Sequence, residues 1–248
     1  MKKTLILSSA FIAVAFTSQA AEAAVKFRAG AGSSTYELAG DYGTTKVDYT
    51  PITLGASYAF DNGMYIDLSY TGGSGKHDGY ILSGYPKQDF KRSDVTLAFG
   101  RAHVNESNGM ALGYFAGLKS GTTTAGAPIA MGFTEETLTT SGLIVGGGVS
   151  FPIASGRGGS VGVNLGVGLM GTTWEDNATT YVWNETSDTS VGASFGLNYN
   201  YQFNSTVGVT VDYKTQSYKY DFGLLFGKPN FTIEEKISTL GATVNIGF

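Results

Sequence analysis

The chain contains no cysteine, and only 5 of its 248 residues are proline. Without cysteine an exported chain has neither disulfides nor a lipid-anchored N-terminal cysteine, so stability must come from packing and from closure of a sheet. Charged residues are also sparse, at 15%, and the formal net charge of −4 argues against a nucleic-acid partner. By contrast, 36 glycines and an aromatic content of 13% favour strands and turns over helices.

Long apolar runs are absent after the N-terminus, where no stretch approaches the roughly 20 residues of a transmembrane helix. The N-terminus itself has Lys2 and Lys3, then an apolar run from residue 5 to 16, then small residues. This order predicts a secretory signal peptide over residues 1–23, cleaved after Ala23, with cleavage after Ala20 as the alternative. Residues 24–248 would then form the mature domain.

The mature chain is dominated by alternation of apolar with small or polar residues, as in its last stretch, LGATVNIGF. A period of two predicts strands with two unlike faces. Such segments start with residues 25–31 and 52–60, continue after an Asp61-Asn62-Gly63 tight turn, and number ten by residue 248.

The connections between these segments alternate in length. Residues 61–63, 102–109, 152–160 and 204–206 form short connections, whereas residues 37–49, 72–90, 119–138, 172–188 and 215–236 form long polar ones. Segments of about 9–11 residues suit tilted strands that cross a membrane. The pattern therefore predicts an all-β, ten-stranded antiparallel up-and-down transmembrane β-barrel with short periplasmic turns and long extracellular loops. A soluble secreted β-sandwich is the alternative.

Aromatic residues near the predicted strand ends favour the membrane barrel, because such barrels carry aromatic girdles at both interfaces. One predicted girdle lies near the short turns and comprises Phe27, Phe60, Phe99, Phe151, Phe203 and Phe248. The other lies near the long loops and comprises Tyr49, Tyr70, Trp174 and Tyr213.

Phe248, preceded by apolar residues at every second position, resembles the C-terminal assembly signal of Gram-negative outer-membrane β-barrel proteins, a class that includes small porin-like and OmpA-like barrels. The resemblance implies that the barrel-insertion machinery reads Phe248, and that the protein lies in the outer membrane among lipid and lipopolysaccharide. We expect a monomer.

The parity opposite to the lipid face should line the bore. Its charged members are Lys26, Arg28, Asp67, Arg92, Asp94, Asp212 and Lys214. They could form a plug of paired charges, since buried charges need partners, or a polar constriction in a narrow conduit.

Ten inward positions of strands five to eight are glycine: Gly113, Gly117, Gly142, Gly146, Gly148, Gly162, Gly166, Gly168, Gly192 and Gly196. This wall could relieve curvature strain or let Phe115, Ile144 and Met170 lie across it. It could equally leave an off-centre channel for small solutes.

The sequence contains few residues in an arrangement suited to catalysis. Ten-stranded omptin proteases use an Asp pair and an Asp-His pair near the outer rim, but this chain has no Asp-x-Asp or Asp-x-His. Of its two histidines, His103 is predicted in a short periplasmic turn, and His77 adjoins Asp78 in a loop. We therefore predict no enzyme, no catalytic residues, no cofactor and no metal site, and keep an omptin-like hydrolase as a remote alternative.

The long loops offer candidate contact residues. Two loops combine aromatic, acidic or apolar side chains, and exposed apolar patches often mark contacts. The candidates are Trp174, Glu175, Asp176, Trp183, Phe222, Leu224, Leu225 and Phe226. They could instead be girdle residues, solvated acids and residues packed on neighbouring loops. The sequence thus favours a surface-exposed structural or adhesion-type protein that touches a host-cell or phage ligand, with a narrow passive channel as the alternative.

Overall fold

The computed structural model describes residues 24–40, 43–77, 88–126, 135–153, 159–177, 182–225 and 228–248. These residues form eleven strands. They are β1 (Ala24–Gly40), β2 (Gly43–Ala59), β3 (Met64–His77), β4 (Gln88–Val104), β5 (Ala111–Gly126), β6 (Glu135–Pro152), β7 (Ser160–Asn177), β8 (Val182–Thr186), β9 (Ser190–Gln202), β10 (Val207–Leu225) and β11 (Lys228–Gly247). No described segment is a helix of the length and apolarity that a bilayer crossing requires. The predicted signal peptide lies outside the described residues and stays a prediction.

The strands close into one antiparallel barrel. Each strand pairs with its sequence neighbour from β1 to β7, and β1 pairs with β11, so the sheet has no open edge along its length. Both β8 and β9 pair with β7, β8 at one end and β9 along the rest. They act as a single barrel strand with a break at Ser187, whose N–H donates to the carbonyl of Thr172. The predicted ten-stranded antiparallel barrel is therefore confirmed.

A band of apolar side chains covers the outside of the barrel next to the short turns. Leu165, Val191 and Phe203 each expose more than 60% of their surface, and every barrel strand contributes similar side chains. Exposed apolar surface on this scale marks a face that needs an apolar medium. A closed sheet with such a face satisfies its backbone hydrogen bonds internally, as hydrocarbon surroundings require.

Beyond this apolar band the outside of the barrel becomes polar and the inside becomes apolar. On β1 and β2 the outward residues become polar, as at Glu37, Lys46 and Asp48, while inward Tyr36 and Val47 are buried. We call this part of the barrel the outer extension; it comprises residues 33–40, 43–50, 72–77, 88–93, 120–126, 135–141, 171–177, 182–186, 215–225 and 228–238. It has the polar outside and apolar inside of a water-soluble barrel.

The outer extension corrects the predicted loops. Apart from β8 the strands have 13 to 20 residues, longer than predicted, because they continue through most of the segments assigned to loops. The prediction ended each strand where its outward apolar residues end. That point is the edge of the apolar band, and the sheet itself goes on.

The short connections were predicted well. Residues 60–63, 105–110 and 203–206 join consecutive strands, and part of residues 153–159 is described. Gly63 has φ +78°, the conformation that its Asn-Gly turn favours. We call this end of the barrel the short-turn end.

The girdle predictions were partly right. All six phenylalanines predicted at the short-turn end are exposed on the outside, and so are Tyr70 and Tyr213 at the other edge of the band. Tyr49 and Trp174 are wrong as girdle residues, because both side chains are buried inside the bore. They lie in the outer extension, where apolar side chains point inward.

Candidate functional site: charges and a cavity inside the bore

A buried ion pair lies near the short-turn end of the bore. Arg28 on β1 donates from both terminal nitrogens to the carboxylate of Asp67 on β3, at 2.6 and 2.7 Å. The guanidinium crosses β2 over Gly55, where a Cβ atom would lie 2.5 Å from Nε of Arg28. Glycine at this position therefore makes room for the pair.

A second set of charges crosses the middle of the bore, and we call it the central charged layer: Arg92, Asp94, Lys119, Gln216 and Glu235. Arg92 donates to both oxygens of Asp94 at 2.8 and 3.0 Å and pairs with Glu235 on β11. Lys119 on β5 lies 3.2 Å from Asp94 and donates to Gln216 on β10 at 2.8 Å. Since β5 and β10 lie on opposite sides of the barrel, the layer spans the bore.

Buried aromatic and aliphatic side chains occupy the bore beyond the central charged layer and leave a small cavity of about 30 Å³ among them. We call them the aromatic plug: Tyr36, Tyr49, Phe90, Leu138, Trp174, Tyr218, Tyr220, Phe222, Phe231 and Ile233. Phe90 packs between Tyr36 and Tyr49, with ring centroids 5.0 and 5.3 Å away. The plug also contacts the charges, because Arg92 lies over Tyr36 and the hydroxyl of Tyr220 donates to Glu235 at 3.2 Å.

The glycine wall makes room for these large side chains. A Cβ atom at Gly146 would lie 2.7 Å from the ring of Phe115, and one at Gly192 would collide with the ring of Tyr218. Phe115, Ile144 and Met170 are themselves buried. At Gly146 and Gly192 the space next to the glycine is thus occupied by a protein side chain, as in the first of the two accounts above.

A polar cavity of about 110 Å³ lies between the central charged layer and the Arg28–Asp67 pair. We call it the bore cavity. Its charged lining residues are Arg28, Asp94, Lys119, Asp212 and Lys214, and hydroxyl groups form much of the rest. Towards the short-turn end the bore continues past a chain of hydrogen bonds from Asn245 to Thr210 and from Thr210 to Asn200.

The seven predicted lumen residues all lie on inward-facing positions. Six of them belong to the Arg28–Asp67 pair, the central charged layer or the bore cavity, and Lys26 lies half-buried nearer the short-turn end. The sequence reasoning missed Lys119, Gln216 and Glu235, which it had assigned to loops. Their parity was the available signal: Lys119 continues the inward series of Gly117 and Gly121 on β5.

The residues predicted as loop contacts lie mostly in strands. Trp174 and Phe222 are wrong as loop residues, because both are strand residues with side chains in the aromatic plug. Glu175 is on the outside of β7, where Asn184 donates to it at 3.4 Å. For Asp176, Trp183, Leu224 and Leu225 the structure describes the strand backbone only, and Phe226 lies outside the described residues.

The histidines lie apart from the charges of the bore. His103 is a residue of β4 and not of a turn; its ring is exposed and lies 6.3 Å from that of Tyr114. His77 ends β3 without a described side chain, and Asp78 lies outside the described residues. Within the described residues no group of three His, Cys, Asp or Glu side chains could hold a metal ion.

The closed ten-stranded sheet, its apolar band and its polar interior define a transmembrane β-barrel of the Gram-negative outer-membrane class. No family model matches the sequence, and no curated protein is similar to it. Among solved structures, the outer-membrane protease OmpT from Escherichia coli is similar with a TM-score of 0.68 and 11% identity, over 94% of this chain and 100% of that one. Ail, the attachment invasion locus protein of Yersinia pestis, aligns with a TM-score of 0.37 and 12% identity, over 91% of this chain and 100% of that one. The likeness to OmpT is one of fold alone.

Proposed function

We propose that this chain is a non-enzymatic outer-membrane barrel with a closed bore, which acts at the cell surface through its outer extension as a structural or adhesion-type protein. The observation that carries the proposal is the double seal of the bore. The central charged layer ties opposite walls together, and the buried side chains of the aromatic plug lie across the bore beyond it.

The double seal favours this role over a passive channel. A solute would have to separate Arg92 from Glu235, both almost fully buried, and then displace the side chains of the plug. Leaving either charge buried and unpaired costs several kcal/mol, about 3–5 for pairs of this kind. The resting barrel should therefore not conduct.

Planar-bilayer recording tests the seal. We expect no discrete conductance steps from the wild-type barrel, with insertion verified by co-flotation with lipid vesicles. A variant that removes both seals should conduct; it carries Arg92→Ala, Lys119→Ala and Glu235→Ala in the central charged layer and Phe90→Ala, Trp174→Ala and Tyr220→Ala in the plug. The matched control, Phe27→Ala on the lipid face, should stay silent. Discrete conductance steps from the wild type would refute the closed bore and support the alternative function of a passive channel.

Surface action would use the charged outside of the outer extension. Lys46 pairs with Glu37 at 2.9 Å, and Lys219 lies 3.4 Å from Asp221, all four on outward positions. A host-cell or phage ligand could break such exposed pairs with little loss of free energy, since each pair contributes only about 0–1 kcal/mol.

Adhesion is tested by neutralising three exposed lysines on the outside of the outer extension, Lys46, Lys219 and Lys236. Bacteria that display the variant Lys46→Gln, Lys219→Gln and Lys236→Gln should attach less to host-cell monolayers, or bind less phage, than bacteria with the wild type. The control replaces the lipid-facing Leu54 by Val and should attach normally. Equal attachment of all three strains, and of a strain without the barrel, would refute a role in adhesion.

The fold shared with OmpT makes proteolysis the activity to exclude. Among described residues, the only complete histidine side chain is that of His103, at the short-turn end, and no described carboxylate contacts it. We expect the refolded barrel to leave a peptide library intact over hours, and turnover would overturn the non-enzymatic assignment.

We further propose that Phe248 serves as the signal for the barrel-insertion machinery before it joins the girdle. In the folded barrel its N–H donates to the carbonyl of Val25 at 2.9 Å, and its ring packs against Phe27 at 6.2 Å. Phe248 would thus be recognised by the insertion machinery first and would then complete the pairing between β1 and β11. Lipid and lipopolysaccharide would surround the finished barrel.

A further inference from the structure

The bore cavity is closed towards the outer extension of the barrel. On the side of the outer extension, the central charged layer and the aromatic plug close it with buried side chains. On the side of the short-turn end, the inward residues Lys26, Asn198, Asn200 and Asn245 are polar and partly exposed. The Arg28–Asp67 pair and the hydrogen bonds of Asn245, Thr210 and Asn200 lie between this end and the cavity, so a small polar molecule would enter past them from the short-turn end.

Asp212 is the carboxylate of the bore cavity whose bonding capacity is unused. Asp67 and Asp94 both have ion-pair partners, but no hydrogen bond or ion pair within bonding distance involves Asp212 among the described residues. Lys214 and Arg28 line the same cavity as Asp212. Asp212 is half-buried and faces the cavity, so its carboxylate takes its hydrogen bonds from water or from a bound molecule there.

Lys214 lies next to Asp212 on the same wall. The two residues are two positions apart on β10 and face the same side, so they are about 7 Å apart along the strand. Ser69 and Thr96 on the opposite wall and Thr243 on the neighbouring strand β11 add hydroxyl groups to the cavity. The cavity thus offers an acceptor for a cationic group, a donor for an anionic group and hydroxyls for either.

We propose that the bore cavity binds a small zwitterion of the amino-acid class, with its ammonium on Asp212 and its carboxylate on Lys214. A cation alone would meet three positive groups, and an anion alone would meet Asp212 and Asp94. A volume of about 110 Å³ exceeds the roughly 10–15 Å³ that one water needs, so it holds a small organic molecule with a few waters. Under the proposed function, this ligand would come from the periplasm.

Calorimetric titration of the refolded barrel with L-alanine tests the proposal. We expect saturable binding of alanine to the wild type and no binding of propionate, ethylammonium or glycerol, which carry one charge or none. Glycerol binding without alanine binding would show a site for neutral polyols and overturn the zwitterion. An absence of alanine binding would mean that the cavity holds water only, which also overturns it.

Variants of Asp212 locate the site. Asp212→Asn should weaken alanine binding about tenfold or more, the loss expected when a charge-assisted hydrogen bond is removed, and Asp212→Glu should restore part of it. Asp221→Asn, on the outside of the same strand, should bind like the wild type. Circular dichroism and heat-modifiable gel migration show whether each variant is folded. Equal binding by folded Asp212→Asn and wild type would refute the assignment, whatever the conductance recordings show.

Discussion

At the scale of single residues, burial sets the importance of an ion pair. Asp67 is fully buried and depends on Arg28, whereas Glu37 and Lys46 form a pair that water surrounds. Removal of one partner of a buried pair leaves an uncompensated charge, and removal of an exposed partner leaves a solvated one.

We expect Arg28→Ala to lower the free energy of unfolding by about 3 kcal/mol or more, and Lys46→Ala by less than about 1 kcal/mol. Urea titration of the two variants in lipid vesicles measures both values. Similar small losses would mean that water reaches Asp67 and solvates it.

Sequence parity placed Arg28 and Asp67 in the bore but could not pair them. They are 39 positions apart and meet only because Gly55 lets the guanidinium cross β2. That meeting depends on the stagger of three strands, which side-chain alternation does not encode. The same holds for Arg92 and Glu235, which are 143 positions apart.

At the scale of strands, glycine positions decide which large side chains fit inside. Gly192 on β9 faces the ring of Tyr218 so closely that a methyl group would collide with it. Gly171 on β7 faces outward, and its nearest neighbour to an added Cβ atom is 3.9 Å away.

Gly192→Ala should therefore destabilise the barrel by about 1–3 kcal/mol through overpacking. Gly171→Ala, the matched control, should be neutral or slightly stabilising, since alanine restricts the unfolded chain. The same urea titration compares them. Equal stability of the two variants would show that the Tyr218 ring can move aside without cost.

The sequence predicted where strands start at the short-turn end and misjudged where they stop at the other. Alternation persists through the outer extension, but there the inward residues are apolar, as at Tyr36, Val47 and Phe231. The outward residues of the outer extension are polar, so a strand pattern that requires outward apolar residues ends there and predicts loops. Most of the residues that close the bore lie in those segments, whereas Arg92 and Asp94 lie outside them and were predicted.

At the scale of the whole molecule, one chain forms two kinds of barrel end to end. On β2 the outward side changes from Leu54 and Ile52 to Thr50 and Asp48, and the change falls at a similar height on the other strands. The boundary between lipid and water should run through this ring of positions.

Single-cysteine variants can locate that boundary, because the natural chain has no cysteine. A spin label on Leu54→Cys should be relaxed mainly by oxygen, which is enriched in lipid, and a label on Lys46→Cys mainly by a water-soluble nickel complex. The two positions are on the same strand and the same face. The opposite order would place the apolar band in water and contradict a membrane barrel.

The seam between β1 and β11 brings Val25 and Phe248 within two hydrogen bonds of each other. Linking these residues covalently and cutting the backbone at the Asn62–Gly63 turn would preserve every strand pairing while moving the chain ends elsewhere on the rim. The shape of the barrel thus depends on which strands pair with each other and not on where along the ring the chain begins.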